Sequence, residues 1–184
     1  MYKSLAAIHL KKGKQLILDE ITFSSPNFDE VVLKNTYAGI CHSQLINLSR
    51  TPESPELLGH EGTAEVVAIG SKVKHVKEGD SVILSWMPNH FSKNKEYLKW
   101  TNFNYKNNTY KSLIYNWSTY SKINAQFVYK LDKKANHKTH STLGCAVISG
   151  YLAVEKIVNK KNFSSLVLGA GGLGLFAINA LKNL

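Results

Sequence analysis

The chain is poor in arginine and cysteine. Of its 23 basic residues only Arg50 is arginine. Its net charge is +10, but the lysines are scattered, and no aromatic-basic motif interleaves with them. Proteins that read nucleic acid cluster their charge and use arginine for bidentate contacts, so the composition speaks against that partner. There are only two cysteines, Cys41 and Cys145, too few for a disulfide framework. No internal repeat recurs. No signal peptide precedes "KKGK", and Asn-x-Ser/Thr at Asn47, Asn107, Asn116 and Asn162 is a chance product of asparagine richness. The uncharged run from Asn162 to Leu181 contains four glycines and an internal asparagine, which argue against a membrane span. A cytoplasmic setting is expected.

What is present reads first as short strands. "YKSLAAIHL", "QLILDEI", "DEVVLKNTYAG", "GTAEVVAIG" and "KEGDSVIL" are brief apolar stretches divided by glycine turns. Their spacing suggests a compact barrel or sandwich. From Pro88 to Tyr115 the text turns Asn-, Lys- and aromatic-rich, and a surface excursion is expected there. "STYSKINAQFVYKL" returns to strand-like alternation. Leu143, Val147, Tyr151, Val154 and Ile157 recur at helical spacing, predicting a helix over 141–158. The ending "SSLVLGAGGLGLFAINALKNL" reads as a buried strand, a glycine turn and a helix start.

Two groups of residues carry chemistry. The first is Cys41, His60 and Cys145. His60 and Glu61 sit side by side between Gly59 and Gly62. A catalytic zinc takes three protein ligands and leaves a fourth position open, and two cysteines with one histidine form such a set. The counts alone favour buried free thiols and an ordinary histidine over a metal site. The second is Gly169-x-Gly171-Gly172-x-Gly174, after an apolar strand and before a helical pattern. That is the context of a dinucleotide phosphate turn, although close strand–helix packing also calls for such glycines. His75, His90, His137 and His140 lie in polar surroundings and receive no role.

Taken in order, "AGICHSQL", "LLGHEGTAEVVAIGSKVKHVKEGDSVIL", "TLGCAVISGYLAV" and "LVLGAGGLGLFAINALK" resemble the zinc-dependent alcohol dehydrogenases of the medium-chain dehydrogenase/reductase family. The resemblance runs through nearly the whole chain and is weakest from Met87 to Asn116. It implies a mainly β, GroES-like barrel with a few helices over residues 1–150, including the start of the linking helix. Residues 151–184 would be the first β-α of a truncated, dinucleotide-binding Rossmann fold. It further implies that Cys41, His60 and Cys145 hold one catalytic zinc, with Glu61 beside the metal. Ser43 matches the hydroxyl that takes the substrate proton. His42 and the glycines Gly169, Gly171, Gly172 and Gly174 match positions that approach the pyrophosphate of NAD or NADP. The implied activity is hydride transfer between an alcohol or aldehyde and NAD(P), with a small-molecule substrate, no nucleic-acid or membrane partner, and scope for a homo-oligomer in a full-length form. A zinc-free quinone or enone reductase of the same architecture, and a non-enzymatic metal- or partner-binding module, are the alternatives.

The chain departs from that family in three respects. The Met87 to Asn116 region has no cysteine, so no structural zinc is expected. Gln44 stands where the family commonly has an aspartate that orients the zinc histidine, which should make that histidine less basic; Ile46 replaces a relay histidine found in some relatives. The sequence ends at Leu184, before the acidic residue that grips the cofactor ribose about 20 residues past the glycine turn. An N-terminal fragment or shortened descendant is therefore expected, with little activity alone and an aggregation-prone apolar end.

Overall fold

Alternation builds the first strand. In β1 (Tyr2–His9) Ser4, Ala6 and Ile8 point inward while Lys3 and Leu5 face solvent. The computed structural model describes residues 1–13, 15–89, 99–157 and 163–183; His90 and Asn162 lie outside them. β1 pairs antiparallel with β2 (Ile17–Phe23), from Tyr2 opposite Phe23 to Ile8 opposite Ile17. β3 (Glu30–Ala38) leads into the short helix α1 (His42–Leu48). Then come β4 (Glu56–Leu57), β5 (Gly62–Ile69) and β6 (Ser81–Leu84). β7 (Thr101–Tyr105) and β8 (Asn108–Ser112) form a hairpin, followed by β9 (Tyr120–Asn124) and β10 (Val128–Lys130).

The strands form two five-stranded sheets, ordered β4-β1-β2-β7-β8 and β10-β6-β5-β3-β9. They meet along β1, where Ala7 N–H donates to Trp117 O at 2.9 Å and Thr119 N–H to Leu5 O at 2.9 Å. Since Thr119 runs directly into β9, this seam nearly closes a barrel. Ile8, Ile21, Leu33, Phe103, Ile123 and Phe127 fill the space between the sheets with almost no exposure. The architecture is thus the mainly β, GroES-like barrel with a few helices that the resemblance implies.

The expected surface excursion contains regular structure. The β7–β8 hairpin turns on Lys106 and Asn107, both with positive φ (47° and 64°), the signature of a two-residue type I′ turn. Thr101, Phe103 and Tyr105 are buried between the more exposed Asn102 and Asn104. The alternation that makes a strand was there, but asparagine on the outer face made the stretch look unpatterned. Residues 90–98 of the same stretch lie outside the described residues.

The helix expected over 141–158 is also modified. After α2 (His137–His140) the chain enters a π-helical turn at Leu143–Val147 before α3 (Ile148–Ile157). Such wide turns concentrate at functional sites, and this one carries Cys145. α4 (Gly172–Lys182) packs against α3, with Gly150 lying where a Cβ would press on Leu173 O and Phe176 Cβ. The apolar segment before α4 pairs with no strand among the described residues, since a parallel strand needs a neighbour to form a ladder. Leu166 and Leu168 are 83% and 88% exposed. No helix among the described residues is long and apolar enough to cross a membrane.

Candidate metal centre and glycine turn

Three separate elements converge on one point. Cys41 is the N-cap of α1, three residues past the end of β3 at Ala38. β4 docks on β1 through Ile8–Leu57 and His9–Glu56, and the chain reaches His60 three residues later. Glu56 is fixed by Arg50 Nη2 at 2.6 Å and faces the buried His9 Nδ1 at 3.3 Å. Cys145 arrives from the π-helical turn. Ligand atoms of Cys41, His60, Glu61 and Cys145 all lie within 4.8 Å of one another. The two sulfurs are 3.7 Å apart, too far for a disulfide. Two sulfurs tetrahedrally bound at about 2.3 Å to one zinc would stand roughly 3.8 Å apart.

Glycines make the convergence sterically feasible. A Cβ at Gly144 would collide with the carbonyl oxygen of Leu84, so Cys145 reaches the cluster only because β6 and the π turn touch backbone to backbone. Ser85 Oγ reinforces this contact by donating to Gly144 O at 2.7 Å. Gly59 has a φ of +97°, and a side chain there would run into Asn116 and Trp117.

Asn116 was legible only as one of several unremarkable asparagines. It is buried, and its Nδ2 donates to Glu61 O at 2.7 Å. Trp117 Nε1 donates to Gly39 O at 3.2 Å. The pair clamps both sides of the His60–Glu61 turn, and no sequence signal short of the fold marks it. His137, given no role, ties α2 to the barrel through Thr36 Oγ1 and Ser81 Oγ, each at 3.0 Å.

Burial shapes the electrostatics. It lowers the pKa of His60 below that of an ordinary imidazole, which keeps the ring neutral. It raises Glu61, against the opposing pull of the Ala146 N–H, which donates to Oε2 at 3.4 Å. Cys145 is pushed up to about 12, by burial first and then by the neighbouring Cys41 sulfur. Such a group of sulfurs, imidazole and carboxylate favours a cation strongly. Ser43 Oγ is buried without a hydrogen-bond partner among the described residues. Beside the cluster a cleft of about 630 Å³ opens, lined by Gln44, Leu58, His60, Trp100 and Ile114 among others.

The glycine turn lies next door. A Cβ added at Gly172 would sit 3.5 Å from Ala146 Cβ, one residue from Cys145. Gly169 has a φ of +100°, and a Cβ at Gly174 would strike Gly169 O. Gly171 is the N-cap of α4 and offers no capping side chain, so the first amides of the helix stay open to an anion. His42 is exposed on the first turn of α1, and nothing described connects it to the glycine turn.

Residues 27–133 match the family model of the alcohol dehydrogenase GroES-like domain. The S-(hydroxymethyl)glutathione dehydrogenase of Haemophilus influenzae is 30% identical over 210 residues, covering 98% of this chain and 54% of the relative. The crystal structure of benzyl alcohol dehydrogenase from Acinetobacter calcoaceticus superposes with a TM-score of 0.80 at 25% identity, over 100% of this chain and 56% of that one. Acetophenone reductase from Geotrichum candidum, solved in complex with NAD, gives 0.77 at 25% identity over 98% of this chain and 55% of its own. The chain spans about half the length of the curated relatives it matches.

Proposed function

Because this chain belongs to the alcohol dehydrogenases of the medium-chain dehydrogenase/reductase family, we propose that it is the zinc-binding part of an oxidoreductase acting on a small alcohol or aldehyde with NAD or NADP. The observation that carries the reading is the grouping of Cys41, His60 and Cys145, with sulfurs 3.7 Å apart and all ligand atoms, Glu61 included, within 4.8 Å. On this reading residues 1–150 form the catalytic unit and 151–184 begin the dinucleotide-binding one. A reducing, cytoplasmic compartment keeps both sulfurs available.

Two thiolates and a neutral imidazole match the charge of one Zn²⁺. When bound, zinc would supply Lewis acidity that makes a substrate hydroxyl more acidic, and a nicotinamide would supply the hydride acceptor. The chain's own groups do the rest. Ser43 Oγ, without another partner among the described residues, accepts the hydroxyl proton and passes it towards the cleft. Ile46 offers no relay, so the proton leaves through cleft water. Glu61, whose carboxylate lies within 4.8 Å of the other ligand atoms, would be available as a fourth donor. Trp100, Leu58 and Ile114 hold the apolar part of the substrate out of water. The open amides at the start of α4 receive the cofactor pyrophosphate, with His42 as an added contact.

Metal analysis and cofactor titration test this. One zinc per chain, lost in Cys41→Ser and Cys145→Ser but kept in His75→Gln, is the expected result. A chain that retains no zinc after purification with zinc present sinks the metal reading. Absence of any NAD(P)-dependent change in tryptophan fluorescence sinks the cofactor reading.

A further inference from the structure

Gln44 is buried in α1, and both ends of its amide are committed. The Gly59 N–H donates to Oε1 at 2.7 Å, and Nε2 stands 2.8 Å from His60 Nδ1. A backbone N–H can only donate, so the amide oxygen faces Gly59 and the amide nitrogen faces the imidazole. That nitrogen, too, can only donate. His60 Nδ1 is therefore the acceptor, and the single proton of the neutral ring sits on Nε2. Nε2 is the nitrogen that Gln44 leaves free, and a metal ion needs its lone pair bare. Metal-bound histidines instead carry their proton on the far nitrogen and donate it to an oxygen.

We propose that Gln44 is a positioning residue that holds His60 in the tautomer opposed to metal coordination, so that ion capture requires the amide to turn over. The inference rests on the metal reading above. The ring is neutral before and after. One proton leaves Nε2 and one arrives at Nδ1, exchanged through cleft water, with no net release. The turned amide then accepts from Nδ1–H through Oε1 but sets its NH₂ against the Gly59 N–H, donor against donor. One buried hydrogen bond is lost, and metal binding is weakened accordingly. A carboxylate of the same shape meets no such conflict, because one oxygen accepts from Gly59 while the other accepts from Nδ1–H.

The test compares the 184-residue chain with Gln44→Glu. Nitrogen-15 NMR of the histidine rings reads the tautomer without metal, and Co²⁺ titration followed by thiolate–cobalt absorption reads affinity. The wild-type His60 is expected to be protonated at Nε2 and the variant at Nδ1, with Co²⁺ bound roughly 10- to 100-fold more tightly by the variant. A wild-type His60 protonated at Nδ1 overturns the proposal, whether or not the variant folds. So does equal or weaker Co²⁺ binding by a folded variant. If neither protein develops thiolate–cobalt absorption, the metal reading fails, and the metal-free tautomers still decide whether Gln44 sets the ring proton.

Discussion

Asn116 Nδ2 donates to the carbonyl oxygen of Glu61 at 2.7 Å, across 55 positions of sequence. This bond anchors the turn that presents His60. Replacing Asn116 by alanine leaves the Glu61 carbonyl with only the Gly39 N–H, at 3.0 Å, as its partner among the described residues, and the lost hydrogen bond costs about 0.5–1.5 kcal/mol. Urea unfolding of Asn116→Ala is expected to show a loss of that size; a change within a few tenths would mean the anchor is dispensable.

Gly144→Ala should remove the backbone contact with Leu84. A Cβ cannot fit against that carbonyl, so Cys145 must move away, at a cost of about 1–3 kcal/mol for the forced shift. The variant is expected to melt earlier and to lose thiolate–cobalt absorption. Gly171→Ala, whose Cβ would meet nothing, is the control and should keep that absorption.

Metal binding should release protons. Burial and Cys41 push the Cys145 thiol up to about 12, so it is protonated at neutral pH, and a coordinated sulfur is not. Affinity for Zn²⁺ or Co²⁺ therefore rises with pH. Calorimetric titration in buffers of differing ionisation enthalpy counts the protons, and a count of zero at neutral pH contradicts the assignment of Cys145 as a ligand.

Asp80 should make the barrel acid-sensitive. Its Oδ2 accepts from Lys130 Nζ at 2.9 Å and from Lys77 N–H at 3.0 Å, and these bonds, Lys130 foremost, hold its pKa below the usual carboxylate range. A carboxylate with a depressed folded pKa stabilises above its unfolded value, about 3.9, and that contribution disappears as pH falls through the lower folded value. The melting temperature of wild type should exceed that of Asp80→Asn at neutral pH, and the gap should narrow below about pH 4. A gap that is constant with pH would assign the effect to packing.

The segment before α4 should drive self-association. Leu166 and Leu168 are almost fully exposed beside an apolar hollow lined by Val154, Ile157 and Leu181. Leu166→Lys combined with Leu168→Lys is expected to shift the 184-residue chain towards monomer in size-exclusion chromatography. An unchanged elution profile would assign any association to another surface.

The barrel was legible because its strands are brief apolar stretches divided by glycine turns, as "GTAEVVAIG" is. The β7–β8 hairpin was not, because its outward positions are asparagines, which lower hydrophobicity without breaking the period. Cys41, His60 and Cys145 stood out through scarcity and glycine neighbours. The support around them did not. Asn116, Trp117 and Ser85 act through contacts between residues 55 or more apart, and the π turn at Cys145 lies where the Gly144 backbone touches β6. Even the amide of Gln44, noticed as a departure, reveals its effect only once Gly59 is seen on its other side.

The wide turn that brings Cys145 to Cys41 joins positions 104 residues apart. An ion gripped by both would close more than half the polymer into a ring, cutting the freedom of the denatured ensemble as a covalent crosslink does. Chelators should then shorten the lifetime of the folded chain as well as silence its chemistry, and metal supply would govern how much of it a cell retains.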